Sequence, residues 1–526
     1  MRLLALAFMT VSMCCGQPWS SVLDASRAID WSTAGVTGGI PTNRTTICTT
    51  LNAGATLAQI NNAIAACTSG QAVKLNAGTY NISDSIVMKS GVTLRGAGMG
   101  VTTIHGNAGF SGDGLIGSSP DYDWYLASST SYGLTTLAKG DTTITTATNH
   151  TWSIGDYIHI DQLQDTGGST VINVTGGEGF NESGSCRTGP TATTSTCRPL
   201  GQTVKVTGIP AANQATIDTP LYWTYNKTPQ ATKVTGWLTG VGIEDLTLDN
   251  ATSESVSTLH MGGYHESWAL RVEMIGVVNY GLFMYGSAKN TVQSCYLHAG
   301  QSGSGGGYTI MLYNRATANL FEDNIVTDLG IVVLMDGSVA GNVFAYNYAT
   351  DMVYGSTAAG TGFGTHAAHP FFNLFEGNQM DTRFRMDFTF GSTSHQTMFR
   401  NSVKNETQAG VDTIRNLLDF WAYATSMNVI GNVLGTVGQE TIYVEATGAV
   451  HETDKVVYAF GEESSFGDRG ADGGAALNSV YRQGNWDSVN NAVRWDEDIE
   501  DDTRTLPNSF YLASRPPFLA PVLGHR

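Results

Sequence analysis

NLFEDN at 319–324, NVFAYN at 342–347, NLFEGN at 373–378, TMFRN at 397–401 and NVIGN at 428–432 are one phrase that keeps returning and always ends on asparagine. Subtracting the positions of Asn324, Asn347, Asn378, Asn401 and Asn432 leaves intervals of 23, 31, 23 and 31 residues. GIEDLTL around Leu246, LRVEM ending at Met274 and VQSCY around Cys295 keep the same register without the asparagine. A fixed period of roughly 20 to 50 residues marks a repeat architecture. Within each phrase apolar residues alternate over a few positions and are bounded by Gly, Asn, Asp or Ser, which predicts short strands and disfavours helical solenoids. A propeller blade needs about forty residues, whereas this period holds two or three short strands with their turns. Each repeat is therefore expected to be one coil of a parallel β-helix, with the extra residues of alternate coils forming loops on one side. The recurring asparagine then has a structural use. Stacked side-chain amides donate to and accept from one another, satisfying turn groups that would otherwise be buried unpaired.

The formal charge of −18, from 27 Lys and Arg against 45 Asp and Glu, argues against nucleic acid as a partner, because phosphate binding needs a basic surface. Residues 1–16, MRLLALAFMTVSMCCG, have the charge and apolar run of a signal peptide and predict a secreted protein. A lipoprotein-like box ending at Cys14 is weakened by Met13, which stands where a small residue is needed. No later stretch is long and apolar enough for a transmembrane segment. Export makes disulfides plausible, and Cys48 with Cys67 and Cys186 with Cys197 are close sequence pairs, while Cys295 sits at a ladder position as a buried free thiol. None of them has the CxxC spacing of a zinc site.

Residues 17–119 read as a cap and the first coils: Leu57, Ile60 and Ile64 fall on one helical face with Thr56 as N-cap, a helix suited to covering the open end of a solenoid. In 120–238 the coil rhythm is lost, and alternating stretches such as GDYIHID and GQTVKVTGI predict a small insert of antiparallel strands, with an exposed loop at 167–185. Residues 239–485 carry the main coils. Residues 486–526 hold the acidic run WDEDIEDD and a proline-rich tail expected to lie along the barrel or cap it; this tail has no heptad pattern for trimerisation.

AGTYNISDSIVMKSGVTLRGAG at Ala77–Gly98 resembles the opening coils of right-handed parallel β-helix proteins of the pectate lyase superfamily, and HPFFNLFEGN and MFRN are similar to phrases of secreted bacterial β-helix proteins. The resemblance covers residues 73–117 and 241–432. It implies an all-β, right-handed, single-stranded parallel β-helix of pectin lyase-like type, with an N-terminal capping helix and a small inserted β-rich domain. It does not single out an activity, because the superfamily includes polysaccharide lyases, glycoside hydrolases, pectin esterases, tailspikes and adhesins. The arginine-centred motif of pectate lyases and the paired-aspartate and Gly-His-Gly pattern of polygalacturonases are not visible here, so no catalytic residue is carried over.

Aligning the strands before each ladder position produces a column Tyr285, Tyr313, Asp336, His366, Phe390, Trp421, expected to face outward, beside Met284, Leu312, Met335, Thr365, Thr389 and Phe420 in the other phase. Such aromatics would flank a polar pair and accept the apolar faces of a sugar chain. Adjacent coils lie about 4.8 Å apart, near enough for Asp336 to orient the His366 imidazole. Around them gather His369, Asp381, Arg383, Arg385, Asp387, His395 and Arg400, and from 360 to 404 four Lys or Arg face three Asp or Glu, a local exception to the acidic balance. An acidic polysaccharide is the expected substrate or ligand. For β-elimination, Arg383 or Arg385 would neutralise a uronate, His366 would be the base, and Asp336 or Asp387 would orient it or bind calcium. A glycoside hydrolase needs two carboxyl groups roughly 5 to 9.5 Å apart. Asp336 and Asp387 read as two coils apart and three places out of register, which favours a uronate lyase, with a hydrolase second and a non-catalytic carbohydrate-binding adhesin or spike third.

Overall fold

The computed structural model describes residues 17–126, 129–135, 137–165, 195–253, 255–300, 307–352, 361–404, 416–446, 455–462, 472–496 and 504–514, with positions 172, 174, 186 and 193. The predicted signal peptide, nearly all of the loop at 167–185, most of the acidic run and the end of the tail lie outside them.

The repeat folds as a parallel β-helix. One face is a sheet of nine described strands: β1 Ser257–His260, β2 Tyr280–Tyr285, β3 Tyr308–Tyr313, β4 Ile331–Asp336, β5 Thr361–Ala367, β6 Arg383–Phe390, β7 Asn416–Phe420, β8 Ile442–Glu445 and β9 Val456–Phe460. The remaining faces are short parallel strands such as Leu320–Glu322 and Ile325–Thr327, each paired with its counterpart in the next coil. Period-2 alternation decides what points inward. Leu282, Ile310, Val333, Phe363, Phe384 and Leu418 form one buried file across β2 to β7, and Phe321, Phe344 and Phe375 stack at 4.7 and 5.2 Å on the facing wall.

The asparagine ladder forms as expected. The Asn347 Oδ1 accepts from the Asn324 backbone N–H at 3.1 Å and from its Nδ2 at 2.9 Å, and the same double contact repeats from Asn347 to Asn378, Asn401 and Asn432. It begins at the buried free thiol Cys295, whose N–H donates to Asn324, and ends on Asn485, which extends the coils beyond Asn432. A second ladder that sequence reading missed, Asn290, Asn319, Asn342, Asn373 and Gln396, runs along the preceding corner.

The helix α1, Leu57–Ala66, closes the N-terminal end with Thr56 and Gln59 in a reciprocal capping box, and Ile60 and Ile64 enter the core. Cys48–Cys67 and Cys186–Cys197 are disulfides. The insert is a six-stranded antiparallel sheet within 131–233. The C-terminal segment lies along the barrel, with Phe510 stacked 3.8 Å from Phe399 and its N–H donating to Glu376. Among the described residues no helix is long and apolar enough to cross a membrane.

Candidate active site on the outer face of the strand stack

Because β2 to β7 bury one set of side chains, the alternate set faces away from the core and forms a grid of two columns. One column is Phe283, Met311, Leu334, Gly364, Arg385, Asp419. The other lies two positions later in each strand: Tyr285, Tyr313 and Asp336 pair directly, and His366, Asp387 and Trp421 follow the paired Thr365, Met386 and Phe420.

Phe390 is displaced from the expected column by a bulge. Thr365 pairs with Met386 but Ala367 with Phe390, so two residues of β5 span four of β6. Counting back from the ladder position Asn401 therefore lands on Phe390 instead of the residue in register. Asp387 takes the place, Met386 rather than Thr389 fills the inner phase, and the Phe390 ring instead meets His366 edge-on at 4.9 Å. Asp336 and Asp387 are consequently in register, with His366 between them. This removes the geometric objection to a hydrolase.

Asp387, not Asp336, orients the imidazole: its Oδ2 lies 2.8 Å from His366 Nδ1, and its Oδ1 accepts the Thr389 N–H at 2.9 Å. Asp336 is 5% exposed and its Oδ1 has no hydrogen-bond partner. Burial pushes its carboxyl up to about 7, with the charge on Asp387 adding to the rise and His366 opposing it. Burial also opposes charging His366, but Asp387 outweighs it and the ring is raised to about 9. Asp387 is buried too, yet the His366 charge and hydrogen bond hold it below the usual carboxylate range. Between the two raised values the site holds an imidazolium beside an ionised Asp387, and Asp336 changes charge near neutrality.

The aromatic flank is not where the sequence put it. Tyr285 is covered, with its ring 4.7 Å from Trp124 and the Arg315 guanidinium 5.1 Å from its centroid. Trp421 is 5% exposed, donates through its indole N–H to Asp419 and carries the Arg385 guanidinium at 4.6 Å. Neither offers a free face to a sugar. Tyr313 remains half-buried beside Asp336. Two residues that sequence reading missed complete the flank: Tyr280 stacks on Phe283 at 4.8 Å and on Tyr308 at 5.7 Å. Burial, then Asp336, raises both phenols, Tyr280 to about 12, so they remain donors. Their signal was present, since YGLFMY and YTIMLY repeat one pattern with tyrosine at each end.

Two other expected binding residues are interior groups. His369 is fully buried between the Ser392 and Ser394 hydroxyls at 2.9 and 2.8 Å, and burial depresses it to about 3. Arg383 is 4% exposed, donates to Asn416 at 2.6 Å and lies 3.7 Å from Asp419. Arg385 is the cation left at the groove. Its Nε has no hydrogen-bond partner, and Asp419 stands 3.8 Å away. Calcium takes six to eight oxygen ligands. Of the two carboxyl groups, Asp387 is engaged by His366, and no cluster of three metal-binding side chains occurs among the described residues.

In comparison with known proteins, residues 54–256 match the family described as rhamnogalacturonase A/epimerase, pectate lyase-like. The matched segment ends before Tyr280 and so does not reach the site. No curated protein matches the sequence. Solved structures with similar architecture include a tailspike protein of Pseudomonas phage LKA1, at 12% identity over 77% of this chain and 69% of that one, TM-score 0.44. The mannuronan C-5 epimerase A-module of Azotobacter vinelandii has 12% identity over 78% and 93%, TM-score 0.40, and a polygalacturonase of Erwinia carotovora has 12% over 81% and 96%, TM-score 0.34. The stacked coils make the chain a parallel β-helix protein, and residues 54–256 are similar to a pectate lyase-like family.

Proposed function

We propose that this chain is a secreted glycoside hydrolase that cuts a polysaccharide with inversion, using Asp336 as general acid and Asp387, held by His366, as the ionised partner. One observation carries the reading: two carboxyl groups of one column are pushed in opposite directions, Asp336 up to about 7 and Asp387 downward. Carboxyl groups whose environments separate their ionisation divide the acid and base roles between them. Two coil spacings amount to about 9.6 Å along the column, close to the wider separation, roughly 6.5 to 9.5 Å, used by inverting enzymes. The rhamnogalacturonase and epimerase type of the matched family supports a polysaccharide as substrate, and the two disulfides fit an exported protein.

A second reading, β-elimination from a uronate, is favoured by the cations His366 and Arg385 beside the same column, which would neutralise a carboxylate. Its weakness is the base, because Asp387 keeps His366 protonated below about 9. The purified protein incubated with neutral glycans and polyuronates is expected to release reducing ends of inverted configuration without ultraviolet absorbance from unsaturated sugars. Unsaturated products would replace the hydrolase with the lyase, and silence across the panel would leave a binding protein.

A further inference from the structure

We propose that the cleft between the N-terminal segment and the insert is a second binding site, taking a small organic acid whose apolar body fills the cleft and whose carboxylate meets Lys139. The cleft shares no residue with the column of Asp336 and Asp387, so the assignment stands independently of the hydrolase reading.

The N-terminal segment faces two stretches of the insert, Lys139–Gly140 and Pro220–Thr224, and the space between them measures about 510 Å³. Its floor is apolar: Trp19, Ala28, Ile29, Leu221 and Tyr222 are all buried. Ala25, Ser26 and Thr224 in the lining are exposed, so the cleft opens to solvent. Small-molecule sites are concavities of this size, largely apolar with a few placed polar groups. Here the group that stands out is a cation. The half-buried Lys139 donates from Nζ to the Ser26 carbonyl at 3.1 Å, which uses one of its three N–H groups, and the ammonium lies 4.0 Å from the centroid of the Phe372 ring. Burial pushes this ammonium down to about 8, and the exposed Asp24 opposes that fall only in part. The other titratable groups around it supply no counter-charge. His395, lowered to about 3 by burial and then by Lys139 itself, is neutral. Asp30, which also lines the cleft, spends its Oδ1 on the Ser32 N–H and hydroxyl at 3.0 and 2.5 Å. A partly desolvated cation at the edge of an apolar cleft is complementary to a carboxylate carried on a hydrocarbon or aromatic body.

The test is isothermal titration calorimetry of the full chain with phenylacetate and hexanoate, set against phenylacetamide and hexanamide. An acid is expected to bind saturably at a single site, roughly tenfold or more tightly than the amide of the same shape, because only the acid forms a charge-assisted pair with Lys139. Lys139→Gln should remove that preference. Ala25→Trp, which fills the mouth of the cleft from an exposed position, should abolish binding of acid and amide alike. Circular dichroism checks that both variants are folded. No saturable binding of either acid, equal binding of acid and amide by the wild-type chain, or a preference for the acid that survives in folded Lys139→Gln would overturn the proposal. The comparison of acid with amide on the wild-type chain needs no variant, so it decides the matter even where a substitution perturbs folding.

Discussion

Replacing Asp336 by asparagine is expected to lower polysaccharide cleavage by about 10²- to 10⁴-fold, the usual contribution of a positioned general acid. The variant is informative because it leaves the shape intact. Asp336 is buried, its Oδ1 is unpaired, and its carboxyl is raised to about 7, so the neutral amide mimics the protonated form that the fold already prefers. Thermal unfolding and binding to polysaccharide should therefore stay close to wild type while kcat falls. If kcat persisted in a folded Asp336→Asn protein, proton donation would have to come from elsewhere, and the tyrosines beside Asp336 would be next to test. Loss of binding together with activity would instead assign Asp336 to positioning.

Asn378→Ala should be among the most destabilising single changes in the coils, by about 3 to 5 kcal/mol. The Asn378 side chain accepts from the Asn347 backbone N–H and Nδ2, and donates to Asn401 Oδ1 and to the Phe344 carbonyl, all in the buried interior. Deleting it leaves the Asn347 N–H without that partner, and each buried polar group so stranded costs roughly 1 to 3 kcal/mol. Because neighbouring coils stabilise one another, a break in mid-ladder also weakens coupling between the two halves of the stack. Urea unfolding followed by circular dichroism measures the change, with the exposed neighbour Tyr348 replaced by alanine as a control. A loss below about 1 kcal/mol for Asn378→Ala would mean that the ladder contributes little beyond what water supplies.

The two predictions rest on parts of the molecule that the sequence exposes unequally. The ladder was legible because a stacked amide at one corner demands the same residue at each repeat, and Asn324 to Asn432 carry that demand at a regular spacing. The second ladder is written in the same phrases, as the leading asparagine of NLFEDN, NVFAYN and NLFEGN. The outward phase of the site strands was also legible, since Met284, Leu312, Met335 and Phe420 plainly belong in a core.

What could not be read was register across a bulge. The two extra residues of β6 leave no local mark, and they exchange Asp387 for Phe390 in the candidate column. Nor does alternation reveal what lies over an outward residue. Trp124, 161 positions before Tyr285 by subtraction, covers that ring, and Arg385 covers Trp421. Charge reading had a similar limit: Arg383 raised the local basic count and His369 was grouped with it, but both are enclosed by interior partners.

The most direct test of the central claim, that Asp336 acts as acid beside an imidazolium, is the pH dependence of cleavage, with reducing ends and ultraviolet absorbance recorded on the same samples. An acid must carry its proton, so hydrolysis should be retained below about 7 and fall as pH rises through the Asp336 value, with no unsaturated product. A base at His366 must lose its proton, so activity that climbs toward about 9 together with rising ultraviolet absorbance would contradict the account and establish elimination in its place.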